Sequence, residues 1–426
     1  MNYQKISSDL PIYKIMHNNR IYLFAEGFAI PMDSENSVHR FITAINSQGF
    51  LPTAEQEIVN AAKKAKTTWI SIHSQPFTPL CLTLIPNYDC NLACGYCFNA
   101  GDAKRDALIS IECATRYAEL VLKNCKEQQK TFVLVLAGGG EPTLHWELLN
   151  SIVDSIGKLA KNYGVSMFSY ISTNGTLLTN EKVASLVSKF NLIGISYDCP
   201  PAIADKISLQ GVKSNDKVKQ ICRQITDLGG AFDIRVTVHP ETFVYQEEIV
   251  DYIIKHTGCK TIRIEPVYGF EQCYKNPEIY ANEFVTGFLK AKRSANKVKV
   301  DLSYSGLRLH EVHSTYCDIF RHTLRIFPEG DNRICFLRKN NSLFTHNINE
   351  IDAFTGLLAA DSELFNHKVF PFCESCIASY HCTRGCPDFC FIDNEVTDNM
   401  RFRCSINIAL ATELIIEQID MVDNGQ

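Results

Sequence analysis

Short apolar, β-branched runs recur through the middle of the chain, at residues 80–85, 131–136, 165–171, 192–197, 232–238 and 261–267. Each is rich in Val, Ile, Leu or aromatic residues, as expected of a strand buried on both faces. Helical patterns separate them. Leu144, Leu148, Leu149, Ile152, Val153, Ile156 and Leu159 form one apolar stripe. Val218, Ile221, Cys222, Ile225 and Leu228 form a second, stopped by Gly229 and Gly230. Six βα units in sequence imply a parallel sheet. Six are too few for a closed eight-stranded barrel, so the pattern predicts an α/β fold with a curved, open (β/α)6 partial barrel. Its site is expected at the C-terminal ends of the strands. Residues 1–75 stand outside the repeat as a small α+β region. Residues 13–16 and 20–24 flank His17-Asn18-Asn19 as a hairpin, and a helix is predicted over 53–67. The barrel is placed at 76–305, and a loop-rich module ending in a helix at 306–426.

The 426 residues are 46% hydrophobic and 21% charged, which is ordinary globular material with room for two or three domains. The net charge is −5 and there is no basic tract, so nucleic acid is not an expected partner. No apolar stretch is long enough to cross a membrane, and Met-Asn-Tyr-Gln-Lys-Ile is no secretory signal. A cytoplasmic protein is expected. Its 18 cysteines are then candidates for metal ligation or burial rather than for disulfides. Cys81, Cys125 and Cys222 fall within apolar strand or helix patterns and read as core.

Cys90, Cys94 and Cys97 lie together in Cys-Asn-Leu-Ala-Cys-Gly-Tyr-Cys, directly after the first strand of the repeat. Three thiolates this close can hold three irons of a four-iron, four-sulfur cluster and leave the fourth open to another ligand. Clustered cysteines also suit structural zinc. Other strand ends carry polar or glycine-rich segments. Gly138-Gly139-Gly140-Glu141-Pro142-Thr143 follows the second strand, where glycines allow close approach of a ligand and carbonyls can accept from an ammonium. Ser172-Thr173-Asn174-Gly175 follows the third and could bond ribose hydroxyls. Ser196-Tyr197-Asp198-Cys199 ends the fourth. Arg235 on the fifth could pair with a carboxylate or form a structural ion pair. A glycine run is otherwise a turn, and Ser-Thr-Asn-Gly a helix cap.

The cysteine spacing, with Tyr96 before the last cysteine, resembles the signature of the radical S-adenosylmethionine (radical SAM) family. The resemblance implies SAM on the open iron of a [4Fe–4S] cluster, and one-electron cleavage to methionine and a 5′-deoxyadenosyl radical. It assigns Gly139, Gly140, Glu141 and Pro142 to the SAM amino group. Ser172 and Asn174 would lie at the ribose, with Tyr96, Ser196, Asp198 and Arg235 as further SAM contacts. Relatives usually read Ser-x-Asp-Gly where this chain has Cys199.

The last third is dense in cysteine. Cys317 is followed by twelve residues, Gly330, four residues and Cys335. Cys373, Cys376, Cys382 and Cys386 follow with intervals of two, five and three residues, and Cys404 comes after seventeen more. This pattern resembles the SPASM domain of radical SAM peptide-modifying enzymes. The resemblance implies one auxiliary [4Fe–4S] cluster on Cys373, Cys376, Cys382 and Cys404, and part of a second on Cys317, Cys335 and Cys386. Some relatives have a further cysteine where this chain has Glu311, so the second cluster has an open iron or takes Cys273, Cys390 or another ligand. Phe336 stands where sulfatase-maturing relatives carry an Asp after the cysteine. The expected function is a peptide maturase that abstracts hydrogen from a peptide residue and forms an oxidised or crosslinked product: a thioether, carbon–carbon or carbon–oxygen bond. Expected partners are a ribosomally made precursor peptide or protein substrate and a flavodoxin- or ferredoxin-type electron donor. The alternatives are a formylglycine-forming sulfatase maturase, weakened by Phe336, and a zinc-stabilised, non-catalytic binding protein. Residues 1–75 are expected either to capture a leader peptide by strand addition or to cover the barrel.

Overall fold

The computed structural model describes residues 2–74, 78–97, 106–198, 200–206, 215–267, 273, 275–312, 322–330, 332–333, 345–346, 371–383, 391–392, 395–396 and 398–423. The chain begins with an antiparallel meander: β1 (Asn2–Lys5), β2 (Tyr13–His17), β3 (Arg20–Ala25) and β4 (Phe28–Met32). The expected hairpin is β2–β3, and His17 pairs with Arg20 across it. Asn18 and Asn19 hold φ of 48° and 60°. Both central residues are thus left-handed, as a type I′ turn requires, and asparagine tolerates this better than other residues with a side chain. Two helices follow, α1 (Glu35–Ser47) and α2 (Thr53–Ser74), the second running seven residues beyond the predicted end.

The central repeat then runs β5 (Cys81–Leu84), α3 (Ile111–Gln128), β6 (Phe132–Leu136), α4 (Trp146–Tyr163), β7 (Met167–Thr173), α5 (Asn180–Lys189), β8 (Leu192–Ser196), α6 (Pro201–Lys206), α7 (Asn215–Asp227), β9 (Phe232–Val238), α8 (Gln246–Thr257) and β10 (Thr261–Pro266). The six predicted strands pair in sequence order and in parallel. Two short strands extend them. After helix α9 (Pro277–Lys297), β11 (Asp301–Ser303) joins β10, and β12 (Thr323–Ile326) joins β5, both in parallel. Eight parallel strands result, and β13 (Asn332–Arg333) and β14 (Thr345–His346) add an antiparallel edge beyond β12. A two-stranded ribbon of β15 (Phe391–Ile392) and β16 (Glu395–Val396) precedes the terminal helix α10 (Asp398–Asp423).

One face of this sheet is largely apolar, with Ser169 and Thr173 of β7 as buried polar members. Leu82, Leu84, Leu134, Leu136, Ile193, Ile195, Ile234, Val236, Ile262 and Ile264 are almost wholly buried under the helices. In-register pairs place Thr83, Tyr170, Ser172, Gly194, Ser196, Asp233, Arg235, Thr237, Arg263 and Glu265 on the other, concave face. The continuous apolar reading of these strands therefore applies to half of each strand. The helix stripes hold with two exceptions: Leu144 precedes α4 in a 3-10 turn and Leu228 follows α7, and both are exposed.

The two ends of the chain meet. Tyr22 donates to Asp423 at 2.7 Å, and His17 lies 2.9 Å from Asp420. Tyr13 donates to the carbonyl of Cys376 at 2.7 Å, so the N-terminal sheet also touches the cysteine-rich module. Among the described residues, no helix is long and apolar enough to cross a membrane.

Candidate functional site

The loop of Cys90, Cys94 and Cys97 leaves the C-terminal end of β5, and three neighbouring segments brace it. The first is the glycine segment after β6. Gly140 N–H donates to Asn87 O at 2.9 Å, and Glu141 N–H to Asp89 O at 2.6 Å. The buried Asn87 amide returns a bond to Glu141 O at 3.2 Å. The crossing is close enough to require glycine. A Cβ on Gly140 would lie 2.0 Å from Asp89 O, and one on Gly139 would lie 2.4 Å from Ile85 Cγ2. Gly139 also has φ +69°, which disfavours any other residue. The cysteine loop's own backbone makes the close approach on these glycines.

The second brace is Glu141. Its carboxylate is 3% exposed and accepts four bonds: from Thr143 N–H (3.1 Å), Thr143 Oγ1 (2.6 Å), Thr173 Oγ1 (2.6 Å) and Asn174 N–H (2.7 Å). Those bonds tie the end of β6 to the end of β7. Pro142 opens a short 3-10 turn behind it. Asn174, expected at a ribose, donates to Asn91 Oδ1 at 3.0 Å and lies 3.9 Å from Cys90 Sγ. Asn91 donates to Thr176 at 2.8 Å. The short polar side chains after β7 thus hold the cysteine loop.

The third brace joins Tyr96 to Asp198, beyond β8. The Tyr96 hydroxyl donates to Asp198 Oδ2, and Thr237 N–H on β9 donates to Oδ1 at 3.0 Å. Burial pushes the Asp198 carboxyl above the usual carboxylate range, against the lowering effect of those two bonds. Burial likewise raises Tyr96, with the Asp198 and Cys94 charges adding to it. The Tyr96 ring meets His239 edge-on at 5.1 Å, and burial lowers the pKa of His239. Ser196 is exposed at the end of β8. Arg235 lies deeper on the concave face, its guanidinium 5.0 Å from the Tyr170 ring centroid and its Nε 3.8 Å from Asp233. Ser172 shares that face.

The three thiols are free and on one loop. Among the described residues, no three Cys, His, Asp or Glu side chains are grouped at metal-ligand spacing. The donor set nevertheless fits a cationic iron centre. Cys94 is pushed up to about 11 by burial and then by the charges of Asp198, Cys97 and Cys90. Cys90 is raised by burial, with Glu141 and Cys97 adding to it. Thiols that disfavour one another's ionisation are the arrangement a bound cation relieves. Leu92 N–H already points at Cys90 Sγ from 3.4 Å.

The described cysteines of the C-terminal third are Cys373, Cys376, Cys382 and Cys404. Cys373 and Cys376 share a turn, with Cys376 N–H donating to Cys373 O at 3.2 Å. Cys382 is bridged to Leu307, and Asn407 donates to Cys382 Sγ at 3.0 Å. Asn407 sits one helical turn beyond Cys404 on α10, so the bond brings Cys382 and Cys404 to the same helix. A cavity of about 700 Å³ opens beside Cys404, lined by Phe372, Lys275, Pro277, Arg401 and Ile408. Cys273 is buried. Glu311 accepts from Arg308 at 3.0 Å, and its carbonyl lies 2.9 Å from His381 Nδ1. Cys199, Cys317, Cys335, Phe336, Cys386 and Cys390 lie outside the described residues. The bracing roles of Asn87, Asp89, Thr237 and Asn407 were not read from the sequence, where each is a single polar residue without a spacing signal.

Residues 84–253 match the radical SAM superfamily. The chain is 29% identical over 157 residues to the mycofactocin maturase MftC of Mycobacterium tuberculosis, covering 36% of each. It is 25% identical over 179 residues to the tungsten-containing aldehyde ferredoxin oxidoreductase cofactor-modifying protein of Pyrococcus furiosus, covering 39% of this chain and 45% of that protein. The matched segments thus span less than half the length of these curated relatives. The fold is that of anSMEcpe, solved with bound AdoMet (TM-score 0.64, 18% identity, 82% of this chain and 100% of that one). It is also that of Streptococcus suis SuiB bound to S-adenosylmethionine (TM-score 0.54, 17% identity, 93% and 98%). With the three-cysteine loop at its strand ends, residues 84–253 are a radical SAM domain, a family that works with SAM and a [4Fe–4S] cluster.

Proposed function

We propose that this protein is a radical SAM peptide maturase with auxiliary iron–sulfur clusters, forming an oxidised or crosslinked residue in a ribosomally made peptide. The observation that carries the reading is the braced three-cysteine loop at the strand ends of a segment that matches the radical SAM superfamily. The curated relatives include a maturase, and SuiB has been solved with its precursor peptide SuiA.

In this reading Cys90, Cys94 and Cys97 hold the SAM-binding cluster, and Cys373, Cys376, Cys382 and Cys404 an auxiliary one. Cys317, Cys335 and Cys386 hold part of a second. A [4Fe–4S] cluster held by Cys90, Cys94 and Cys97 would supply the chemistry of one-electron SAM cleavage to methionine and a 5′-deoxyadenosyl radical. The chain's own contribution is placement. Glu141 fixes the ends of β6 and β7, and Asp198 fixes Tyr96, so the cysteine loop keeps one position over the strand ends. The polar concave face offers Ser172, Ser196 and Thr237 to a bound molecule, while the helices keep water from the other face. A small electron donor of flavodoxin or ferredoxin type completes the cycle.

The test is reductant-dependent formation of 5′-deoxyadenosine from SAM by anaerobically reconstituted protein, beside Cys94→Ala. Formation by the parent and none by the variant, with auxiliary iron retained, is expected. A colourless, zinc-containing protein that cleaves no SAM sinks the reading.

A further inference from the structure

Arg235 and Arg263 are register partners on β9 and β10, and both lie on the concave face. Neighbouring strands are about 4.8 Å apart, so the sheet sets two permanent positive charges side by side. Like charges placed across adjacent strands repel. Arg235 has local compensation. Its Nε lies 3.8 Å from Asp233, which is 2% exposed, and its guanidinium rests 5.0 Å from the Tyr170 ring centroid. Arg263 has none: it makes no hydrogen bond, ion pair or ring contact among the described residues. Burial pushes the Tyr170 hydroxyl up to about 12, and the charges of both arginines oppose that rise, so both guanidiniums face the barrel interior.

The carboxylates on this face are engaged elsewhere. Asp233 is the buried partner of Arg235. Asp198 accepts from Tyr96 and Thr237. Glu265, two residues beyond Arg263 on the same face, accepts from Ser305 N–H through Oε1 at 2.9 Å. Its Oε2 is buried without a partner among the described residues. The face thus presents an uncompensated guanidinium and, beside it, an uncommitted carboxylate oxygen. Both are costly to leave unmatched away from water. A residue of a peptide meets both needs, with a carboxylate for Arg263 and an amide N–H for Glu265.

The depth suits the chemistry. Glu265 pairs in register with Thr237, and the Thr237 N–H donates to Asp198, the acceptor of Tyr96 in the cysteine loop. Arg263 lies two residues lower, about 6.6 Å along the strand. A carboxylate held there places the carbons of the same residue between the arginines and the cysteine loop.

We propose that Arg263, with Arg235 beside it, determines which peptide residue is modified, by pairing with a carboxylate: an acidic side chain or the C-terminal carboxylate of the peptide. The inference rests on the peptide-maturase reading above and names the class of substrate residue. No bond is made or broken by either arginine.

The experiment uses the full chain, anaerobically reconstituted and supplied with SAM. Saturation-transfer NMR compares three probes: acetyl-glutamate methylamide, with a side-chain carboxylate; acetyl-alanine, with a terminal carboxylate; and acetyl-glutamine methylamide, which is neutral. At least one carboxylate probe is expected to bind about tenfold more tightly than the neutral one, the value of one hydrogen bond to a charged group. The tighter of the two identifies the source of the carboxylate. Arg263→Gln and Arg263→Met are expected to lose the preference and to bind SAM as the parent does in equilibrium dialysis; either variant that folds decides. Equal binding of charged and neutral probes by the parent overturns the proposal. So does an unchanged preference in a folded variant. A folded variant that loses SAM affinity also overturns it, because the guanidinium would then serve SAM. A colourless parent protein that cleaves no SAM removes the maturase reading itself, and is distinguishable from all three.

Discussion

Tyr96 and Asp198 are joined by a hydrogen bond between the cysteine loop and the end of the fourth central strand. The carboxylate that receives it is partly buried and also accepts from Thr237 N–H on the next strand. One acidic side chain therefore locks three consecutive parts of the site.

That burial has a pH signature. Burial raises the folded-state pKa of Asp198 above its ordinary 3.8. The folded state holds the proton more tightly, so this group's contribution to stability is greatest below about pH 4 and declines as pH rises toward the folded value. Asp198→Asn keeps an oxygen for Thr237 N–H and cannot ionise. Urea midpoints of the variant, measured from pH 4 to 8, should lack part of the parent's decline. Parallel profiles for the two proteins would refute the assignment.

Glu141 is a structural knot. Glu141→Ala leaves two hydroxyls and two N–H groups without their acceptor, so unfolding free energy should fall by roughly 3 kcal/mol or more. Glu141→Gln sets an amide against donors and should cost about 1–3 kcal/mol. Chemical denaturation measures both. If Glu141 served only to bind SAM, both variants would unfold like the parent.

Gly140→Ala tests the backbone crossing. The added methyl would lie 2.0 Å from Asp89 O, so the loop must move. We expect loss of SAM cleavage and of about one cluster's iron, with the auxiliary iron unchanged. Iron analysis and 5′-deoxyadenosine assays decide; a fully active variant would show that the two segments separate freely.

Tyr13→Phe removes the bond to the Cys376 carbonyl and nothing else of the ring's packing. A loss of about 1 kcal/mol is expected. Hydrogen exchange should accelerate around residues 373–380, where backbone bonds such as Ser379 N–H to Cys376 O close the turn. Unchanged exchange there would mean that the sheet does not hold the module.

Five of the six central strands were legible from an apolar face of Leu, Ile or Val, and Met167–Thr173 from its aromatic and Ile content. Phe232–Val238 has the bounds expected of it, and Leu192–Ser196 ends one residue early. The edge strands were not legible. Asp301–Ser303 and Thr323–Ile326 have three and four residues, too few to show a period, and both rest on tertiary pairing with a longer neighbour. In the site, the cysteines announced themselves by spacing. The described contacts of Glu141 and Asn174 tie both to the protein itself. A sequence records that a polar residue follows a strand; which donor it meets depends on a neighbouring loop distant in sequence.

The crossing of Gly140 beneath Asp89 also bears on how such a loop can be transplanted. Because the two backbones touch with no space for a methyl group, neither segment is an independent part. A protein engineer moving residues 87–97 onto another α/β scaffold would have to carry residues 139–143 with them, along with an acceptor in the place of Asp198. The exchangeable unit is a set of three strand ends, and libraries that vary the cysteine loop alone should return mostly inactive proteins.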